Sequence, residues 1–372
     1  MKIIERNQCF YCKSPIKNLL VMEEFPIFMG VTSQDKKEDV LVDMIFAKCV
    51  RCHCVQVRNL IPLEVLYKDS HNGSVGKIWL EHHRHFSEFI LKHASGNVVE
   101  LGGAHLILAN HLEKSEKIKT ITVYDTNITG APDSEKVMTK ECFFDHTTVI
   151  DTPDAIIHSH VIEHLYDPIS EIKSMANLLT EGGKMIISAP LINNMLNDGF
   201  TNAMNFEHTY CLSKALLYAI LANVGFEIID ECQFNKHCVF VSAQKNNKVQ
   251  KVTNFINDPE CFLNFVKQNK EQIRQIKDQI NTNKENTFIF GAHIFTQFLL
   301  GFDLPETLFS KVLDNDPAKQ NNRLYGTSLG VASPVILKGL ESPLVVLKAA
   351  MYTEEIKRDI LENINPSTRF IL

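Results

Sequence analysis

The sequence predicts an α/β protein. A doubly wound parallel sheet is flanked by a small N-terminal cysteine module and a second, C-terminal α/β unit. Three observations predict it. The first is Val98-Val99-Glu100-Leu101-Gly102-Gly103-Ala104-His105, an apolar strand that ends in an acid and a tight glycine turn. Further apolar strands follow it in order: Ile121-Thr122-Val123-Tyr124 ending at Asp125, Ala155-Ile156-Ile157 running into Ser159-His160-Val161-Ile162-Glu163-His164, and Met185-Ile186-Ile187-Ser188 after Gly182-Gly183. The second is a pair of Cys-x-x-Cys knuckles near the start of the chain. The third is another strand, glycine and helix start at Thr287-Phe288-Ile289-Phe290-Gly291-Ala292-His293.

In chain order, residues 1–62 hold half of the ten cysteines and lack helical periodicity. So short a segment has too little core of its own, which suits a module stapled by metal. Residues 63–246 form the doubly wound domain with a helical lead-in, whose apolar positions are Ile78, Phe86, Phe89 and Ile90. Asn246-Asn247-Lys248 marks a break. Residues 247–285 carry a charged amphipathic helix, a connector, over residues 262–273. Residues 286–372 form the second α/β unit, with strands Lys311-Val312-Leu313 (ending at Asp314) and Leu344-Val345-Val346-Leu347 and a closing helix over 353–364.

The 372 residues suffice for two or three domains, and 45% hydrophobic with 22% charged residues is an ordinary globular composition. A net charge of -6 argues against non-specific nucleic-acid binding, which needs a basic face to displace counterions. Met1-Lys2-Ile3-Ile4-Glu5-Arg6 lacks the apolar core of a secretory signal, and no run reaches the roughly 18 apolar residues of a membrane span. A cytoplasmic protein with no membrane or nucleic-acid partner is expected, with a monomer favoured. In that compartment thiols stay reduced, so the cysteines are metal ligands or buried apolar residues.

Cys9-Phe10-Tyr11-Cys12 and Cys49-Val50-Arg51-Cys52 each aim two sulfurs at one point. Four thiolates around Zn2+ close a structural site with no open position. His53 and Cys54 crowd the second knuckle, so either stands as an alternative to Cys52. His160-Val161-Ile162-Glu163-His164 matches the H-x-x-E-H pattern of inverted zinc proteases. That chemistry needs both histidines on one helix face. Here His160 follows a strand almost at once and Asp167-Pro168 halts the segment, so a strand-end loop is expected.

The ordered series of strands, acids and glycine turns resembles a class I S-adenosylmethionine (SAM) methyltransferase. The whole chain is similar to the sugar C-methyltransferases of deoxysugar biosynthesis, in which a four-cysteine zinc domain, a SAM domain and a Rossmann-like domain follow one another. Val55-Gln56, Gly182-Gly183, Glu207-His208-Thr209-Tyr210 and Asp314-Asn315-Asp316-Pro317-Ala318-Lys319-Gln320 carry the likeness. The resemblance implies SAM and a structural Zn2+ as cofactors and a nucleotide-linked sugar as substrate. It implies a catalytic set of His208, Glu207 and His164, with His208 as base. The family's aromatic stretch before the SAM domain reads Tyr67-Lys68-Asp69-Ser70-His71-Asn72-Gly73-Ser74 here, and Asn205 replaces a tyrosine.

From the residues, Glu100, Gly102 and Gly103 sit where a cofactor's amino-acid end is held, and Asp125 where ribose hydroxyls are taken. His160 lies in the loop beside them. For a carbon acceptor, a proton alpha to a ketone must leave first, which needs a histidine near its working pKa and a group to steady the enolate oxygen. His208 leads for the base, and Glu207 orients it or binds a hydroxyl. Tyr210, Asn205 and His71 are candidates on the substrate side. So are Gly291 and His293, where the amides of a βα turn can meet a phosphate. Methylation of oxygen or nitrogen on a sugar or glycan precursor is the alternative on the same fold, and a non-catalytic binding protein is a second alternative.

Overall fold

The computed structural model describes residues 1–67, 76–144, 152–280, 286–349 and 352–371. They divide into two compact units, one of residues 1–17, 47–194 and 207–259, the other of residues 18–46, 195–206 and 260–372. The boundaries expected at residues 62, 246 and 285 are serial, whereas these units interleave along the chain.

In the first unit, apolar runs build one seven-stranded sheet. Its strands are β1 (Gly96–Leu101), β2 (Ile118–Asp125), β3 (Val137–Glu141), β4 (Ala155–Ser159), β5 (Lys184–Pro190), β6 (Phe226–Asn235) and β7 (Cys238–Lys245), in the order β6-β7-β5-β4-β1-β2-β3. β1 to β5 are mutually parallel. β7 runs antiparallel to both β5 and β6. The sequence predicts a doubly wound sheet built on parallel strands, and the β6–β7 hairpin adds an antiparallel strand to it. Only Lys236 and His237 separate β6 from β7, too few for a crossover, so β7 must return antiparallel. β4 and β5 are buried on both faces and therefore read as unbroken apolar runs. In β3 only Val137 is buried, so an edge strand carries little apolar signal.

Helix α1 (Lys77–His93) precedes the sheet. Phe86, Phe89 and Ile90 are buried at helical spacing, but Ile78 is exposed beside Trp79 and Leu80, contrary to its expected place on the apolar face. Phe86 and Ile90 join Val98, Leu112, Ile121, Ile157, Ile186 and Phe240 in the core. Helix α2 (Ile107–Leu112) follows β1. Helix α3 (Pro168–Leu178) starts with proline in its first turn and an Asp167 side chain that accepts the Ser170 amide. Ser213 caps α4 (Lys214–Asn223) in the same way at Leu216. The sheet's carboxyl edge thus points all its βα loops to one side, where ligands bind in open α/β folds.

In the second unit, α5 (Glu260–Gln279) precedes a five-stranded parallel sheet. Its strands are β8 (Thr287–Phe290), β9 (Lys311–Leu313), β10 (Val331–Ala332), β11 (Leu344–Leu347) and β12 (Arg369–Ile371), in the order β10-β9-β8-β11-β12. The closing helix Thr353–Asp359 runs on into a π turn, Ile360–Ile364. Among the described residues no helix is long and apolar enough to cross a membrane.

Candidate active site

β1 ends beneath a turn that requires glycine. Gly102 has φ +75°, and a Cβ there would lie 2.7 Å from Cγ2 of Val161. A Cβ on Gly103 would lie 2.7 Å from both Oε1 of Glu100 and Cγ1 of Val123. Glu100 is 4% exposed, and its Oε2 meets no donor. Burial, and then the charge of Asp125, push this carboxyl up to about 8. At the end of β2, Oδ1 of Asp125 accepts the Asn127 amide at 2.8 Å. Asp125 stays partly exposed, its carboxyl raised by burial. Leu106 stands where a last glycine is common. It takes the left-handed conformation (φ 55°, ψ 14°) and starts α2, with its side chain wholly buried. An orphaned buried carboxylate oxygen under a glycine cradle, with a second acid one strand away, fits a ligand carrying an ammonium at one end and a ribose at the other.

β4 delivers the next group of side chains. His160 takes φ +55°, and its amide donates to the Ser188 carbonyl at 2.9 Å. The chain then enters a 3-10 turn, Ile162–His164. The H-x-x-E-H residues therefore occupy a strand end and a turn, as expected, and not one helix face. Oε1 of Glu163 lies 3.4 Å from Nδ1 of His160 and 3.5 Å from Nε2 of His164. On its other side, Nδ1 of His164 lies 2.8 Å from the Tyr67 hydroxyl and 3.8 Å from Oε2 of Glu207. The rings of His164 and His208 meet edge to face with centroids 5.5 Å apart. The expected catalytic trio is thus brought together. Burial opposes a charge on His164, but the hydrogen bond and charge of Glu163, with the charge of Glu207, outweigh it and raise the ring above its ordinary value. Burial works against a charge on Glu163, but His160 and His164 hold it below the usual carboxylate range.

This arrangement is braced from behind. Nη1 of Arg6 donates to the carbonyls of Val57 (3.0 Å) and Thr209 (2.9 Å), and Nη2 to that of Tyr166 (2.7 Å). Burial lowers the guanidinium to about 10. Thr209 donates its amide to Glu163 O at 3.0 Å and its hydroxyl to Leu165 O at 2.8 Å, which sets Glu207 and His208 against the turn. Tyr210, expected at the substrate, is 1% exposed, stacks on Phe10 and gives its hydroxyl to Ile162 O. Its polar end is therefore used inside the protein. Tyr67, Glu163 and Arg6 are the residues that sequence reasoning missed. Only the Glu-His pair in the loop after β4 hints at Glu163, Tyr67 is marked only by opening the stretch that stands for the resembling family's aromatic segment, and nothing local marks Arg6.

Sγ of Cys9 lies 3.4 Å from that of Cys52, and Sγ of Cys12 lies 3.4 Å from that of Cys49. The four sulfurs fall within 4.8 Å of one another. These separations exceed a disulfide's roughly 2.05 Å. They bracket the ~3.8 Å edge of a tetrahedron with 2.3 Å Zn–S bonds. The amides of Arg51 and Cys52 donate to Sγ of Cys49 at 3.3 and 3.4 Å, as a knuckle that stabilises a thiolate requires. The donor set suits a closed tetrahedral ion. Cys54 is buried nearby, and its hydrogen bonds with Cys52 and Cys9, together with burial, push its thiol up.

Asn205, Gly291 and His293 belong to the second unit. Asn205 is buried and donates Nδ2 to Asn202 O at 3.0 Å. Gly291 has φ +103° and follows β8, and His293 precedes α6 (Ile294–Gly301). The Gly291 amide is taken by Leu313 O and the Ala292 amide by Oδ2 of Asp314, both at 2.8 Å. These amides are bonded within the fold instead of facing a phosphate. His71 falls outside the described residues.

Residues 79–231 match a family model described as a methyltransferase domain. Among solved structures, the chain is similar to the N-methyltransferase NodS of Bradyrhizobium japonicum in complex with S-adenosyl-L-homocysteine: 15% identity, 46% of this chain and 88% of that one, TM-score 0.35. It is also similar to an O-methyltransferase family protein of Burkholderia thailandensis at 14% identity, over 46% of this chain and 57% of that one, with a TM-score of 0.38. A third, the magnesium protoporphyrin IX methyltransferase of Synechocystis with bound SAH, is 14% identical over 47% of this chain and 90% of that one, with a TM-score of 0.37. No curated protein matches the chain. Residues 79–231, which match a methyltransferase domain, hold the glycine cradle with Glu100 and Asp125 and the cluster of Glu163, His164 and His208, so the chain carries a methyltransferase domain.

Proposed function

We propose that this protein transfers a methyl group from SAM to carbon of a nucleotide-linked keto-deoxysugar through an enolate. The observation that carries this reading is the cluster of Tyr67, His164, Glu207 and His208, which pairs a candidate base with groups able to steady an oxyanion. Bound SAM supplies an electrophilic methyl on a sulfonium. Glu100 takes its ammonium and Asp125 its ribose hydroxyls, above the cradle at Gly102 and Gly103. His208 removes the proton alpha to the ketone. His164, its charged form favoured by Glu163 and Glu207, faces the negative charge that develops on the enolate oxygen, with the Tyr67 hydroxyl beside it. Glu207 orients the pair. Cys9, Cys12, Cys49 and Cys52 hold a structural Zn2+ that takes no part in the chemistry.

The test is deuterium wash-in. A nucleotide-linked keto-deoxysugar incubated with the protein in deuterated buffer should exchange its alpha proton, and adding SAM should give a C-methylated product. Methyl transfer without exchange would move the acceptor to oxygen or nitrogen. Absence of SAM binding by calorimetry would remove the catalytic reading altogether.

A further inference from the structure

A second group of metal-ligating side chains lies next to the candidate active site without belonging to it. It is built from three elements: His82 on α1, His160 just past β4, and Cys238 at the start of β7. One ligand atom from each falls within 4.8 Å of the others. His82 and Cys238 are buried, and His160 is partly exposed.

The ring orientations share one pattern. Nδ1 of each histidine is held by an outer residue: Glu163 Oε1 at 3.4 Å for His160, and His83 Nδ1 at 3.1 Å for His82. Nε2 of each histidine turns to the same pair of side chains. Nε2 of His160 lies 3.8 Å from Sγ of Cys238, and Nε2 of His82 lies 2.8 Å from the Ser188 hydroxyl. That hydroxyl is itself 3.4 Å from Sγ of Cys238. Two imidazole nitrogens, a sulfur and a hydroxyl oxygen thus converge. A carboxylate behind the first imidazole is the arrangement that fixes a metal-ligating histidine in the required tautomer. Tetrahedral sites with metal bonds of about 2.0–2.3 Å have ligand edges of ~3.3–3.8 Å, which the 3.4 and 3.8 Å separations already match, while the 2.8 Å contact of His82 with Ser188 would lengthen by about 0.5 Å.

We propose that His82, His160 and Cys238 form a second transition-metal site, of the His2Cys type, with Ser188 at its fourth corner and Glu163 as the positioning carboxylate. The donors are two borderline nitrogens and one soft sulfur, which select Zn2+ or Co2+ over Mg2+ or Ca2+. With three strong protein ligands and a weak fourth, the site differs from the closed four-cysteine cluster in having a corner that an oxygen ligand can take. It lies at the carboxyl ends of β4 and β5, the side on which ligands of such sheets bind.

The test uses full-length protein whose four-cysteine cluster has been filled with zinc and freed of excess metal. Co2+ is then added. One further equivalent should bind, with thiolate-to-cobalt charge-transfer absorption. The fluorescence of Trp79, the one tryptophan in the sequence, should be quenched, since its ring lies 4.8 Å from that of His160 and 5.2 Å from that of His82. Cys238→Ser should abolish the charge-transfer band while circular dichroism stays unchanged. His82→Ala should weaken Co2+ binding by ~10–100-fold or more, and it carries the comparison if Cys238→Ser does not fold. No second equivalent in the wild type, or equal metal content and spectra in wild type and variants, overturns the proposal and leaves a cluster held by hydrogen bonds alone.

Discussion

The hydroxyl of Tyr67 lies 2.8 Å from Nδ1 of His164. The imidazole is thereby gripped at Nδ1 by a phenol, while Nε2 lies 3.5 Å from Oε1 of Glu163. In the proposed function this arrangement gives His164 an electrostatic role and leaves proton abstraction to His208.

Tyr67→Phe removes that grip and little volume. Turnover should fall about tenfold, the equivalent of one hydrogen bond of roughly 1.4 kcal/mol in the transition state. SAM affinity by calorimetry should stay within twofold. A loss of SAM affinity in parallel with turnover would make Tyr67 a cofactor residue.

His208→Ala should lose about 10²–10⁴-fold in kcat, the usual contribution of a general base, with SAM binding nearly unchanged. If the variant still exchanged the substrate's alpha proton at the wild-type rate, His164 would become the base.

Glu100→Gln tests the buried carboxyl. Its pKa of about 8 in the fold lies above the ordinary 4.5. Between those values the folded chain holds a proton that the unfolded chain has released, so stability falls as pH rises through this window. The slope is at most ~1.4 kcal/mol per pH unit. In urea titrations without SAM, wild-type stability should drop from pH 5.5 to 8, and the variant should lack this drop. The same variant should bind SAM more weakly. Parallel curves for the two proteins would show that Glu100 ionises normally.

Asp125→Ala should weaken SAM binding by about 1.5–3 kcal/mol, the scale of charged hydrogen bonds. Unchanged affinity would place the ribose elsewhere.

Cys9→Ser should lower bound zinc by close to one equivalent in metal analysis and destabilise the segment around Cys49 and Cys52, since small metal modules fold with their ion. A metal-free wild type with unchanged folding would contradict the zinc assignment.

Much of this was legible locally. β4 and β5 announce themselves because burial on both faces demands continuous apolar residues, and β2 because its apolar residues recur among polar ones up to Asp125. The cysteine knuckles are legible because sulfur geometry is set within four residues. The spacing of Glu207-His208 and of Glu163-His164 was readable too. What was not readable depends on distant parts of the chain. Tyr67 meets His164 across 97 residues, and His82 meets Ser188 across 106. Tyr67 sits beside a polar stretch with no periodicity to mark it. Residues 18–46 group with the C-terminal unit, which no local pattern encodes. Leu106 and His160 adopt left-handed backbone that their side chains disfavour, so composition points away from the turns they make.

The Arg6 brace has a consequence for biosynthesis. Arg6 leaves the ribosome long before its acceptor at Thr209, which is 203 residues downstream. At about 5–20 residues per second, ~10–40 s separate the two. Throughout that interval the guanidinium has Val57 O and then Tyr166 O to close upon but not Thr209 O, and the turn carrying Glu163 and His164 lacks the Thr209 amide and hydroxyl behind it. The nascent chain therefore makes the glycine turn after β1 well before the brace behind Glu163 and His164, and a ribosome stalled ahead of residue 209 would have made β1 to β5 but neither β6, β7 nor the Thr209 acceptor.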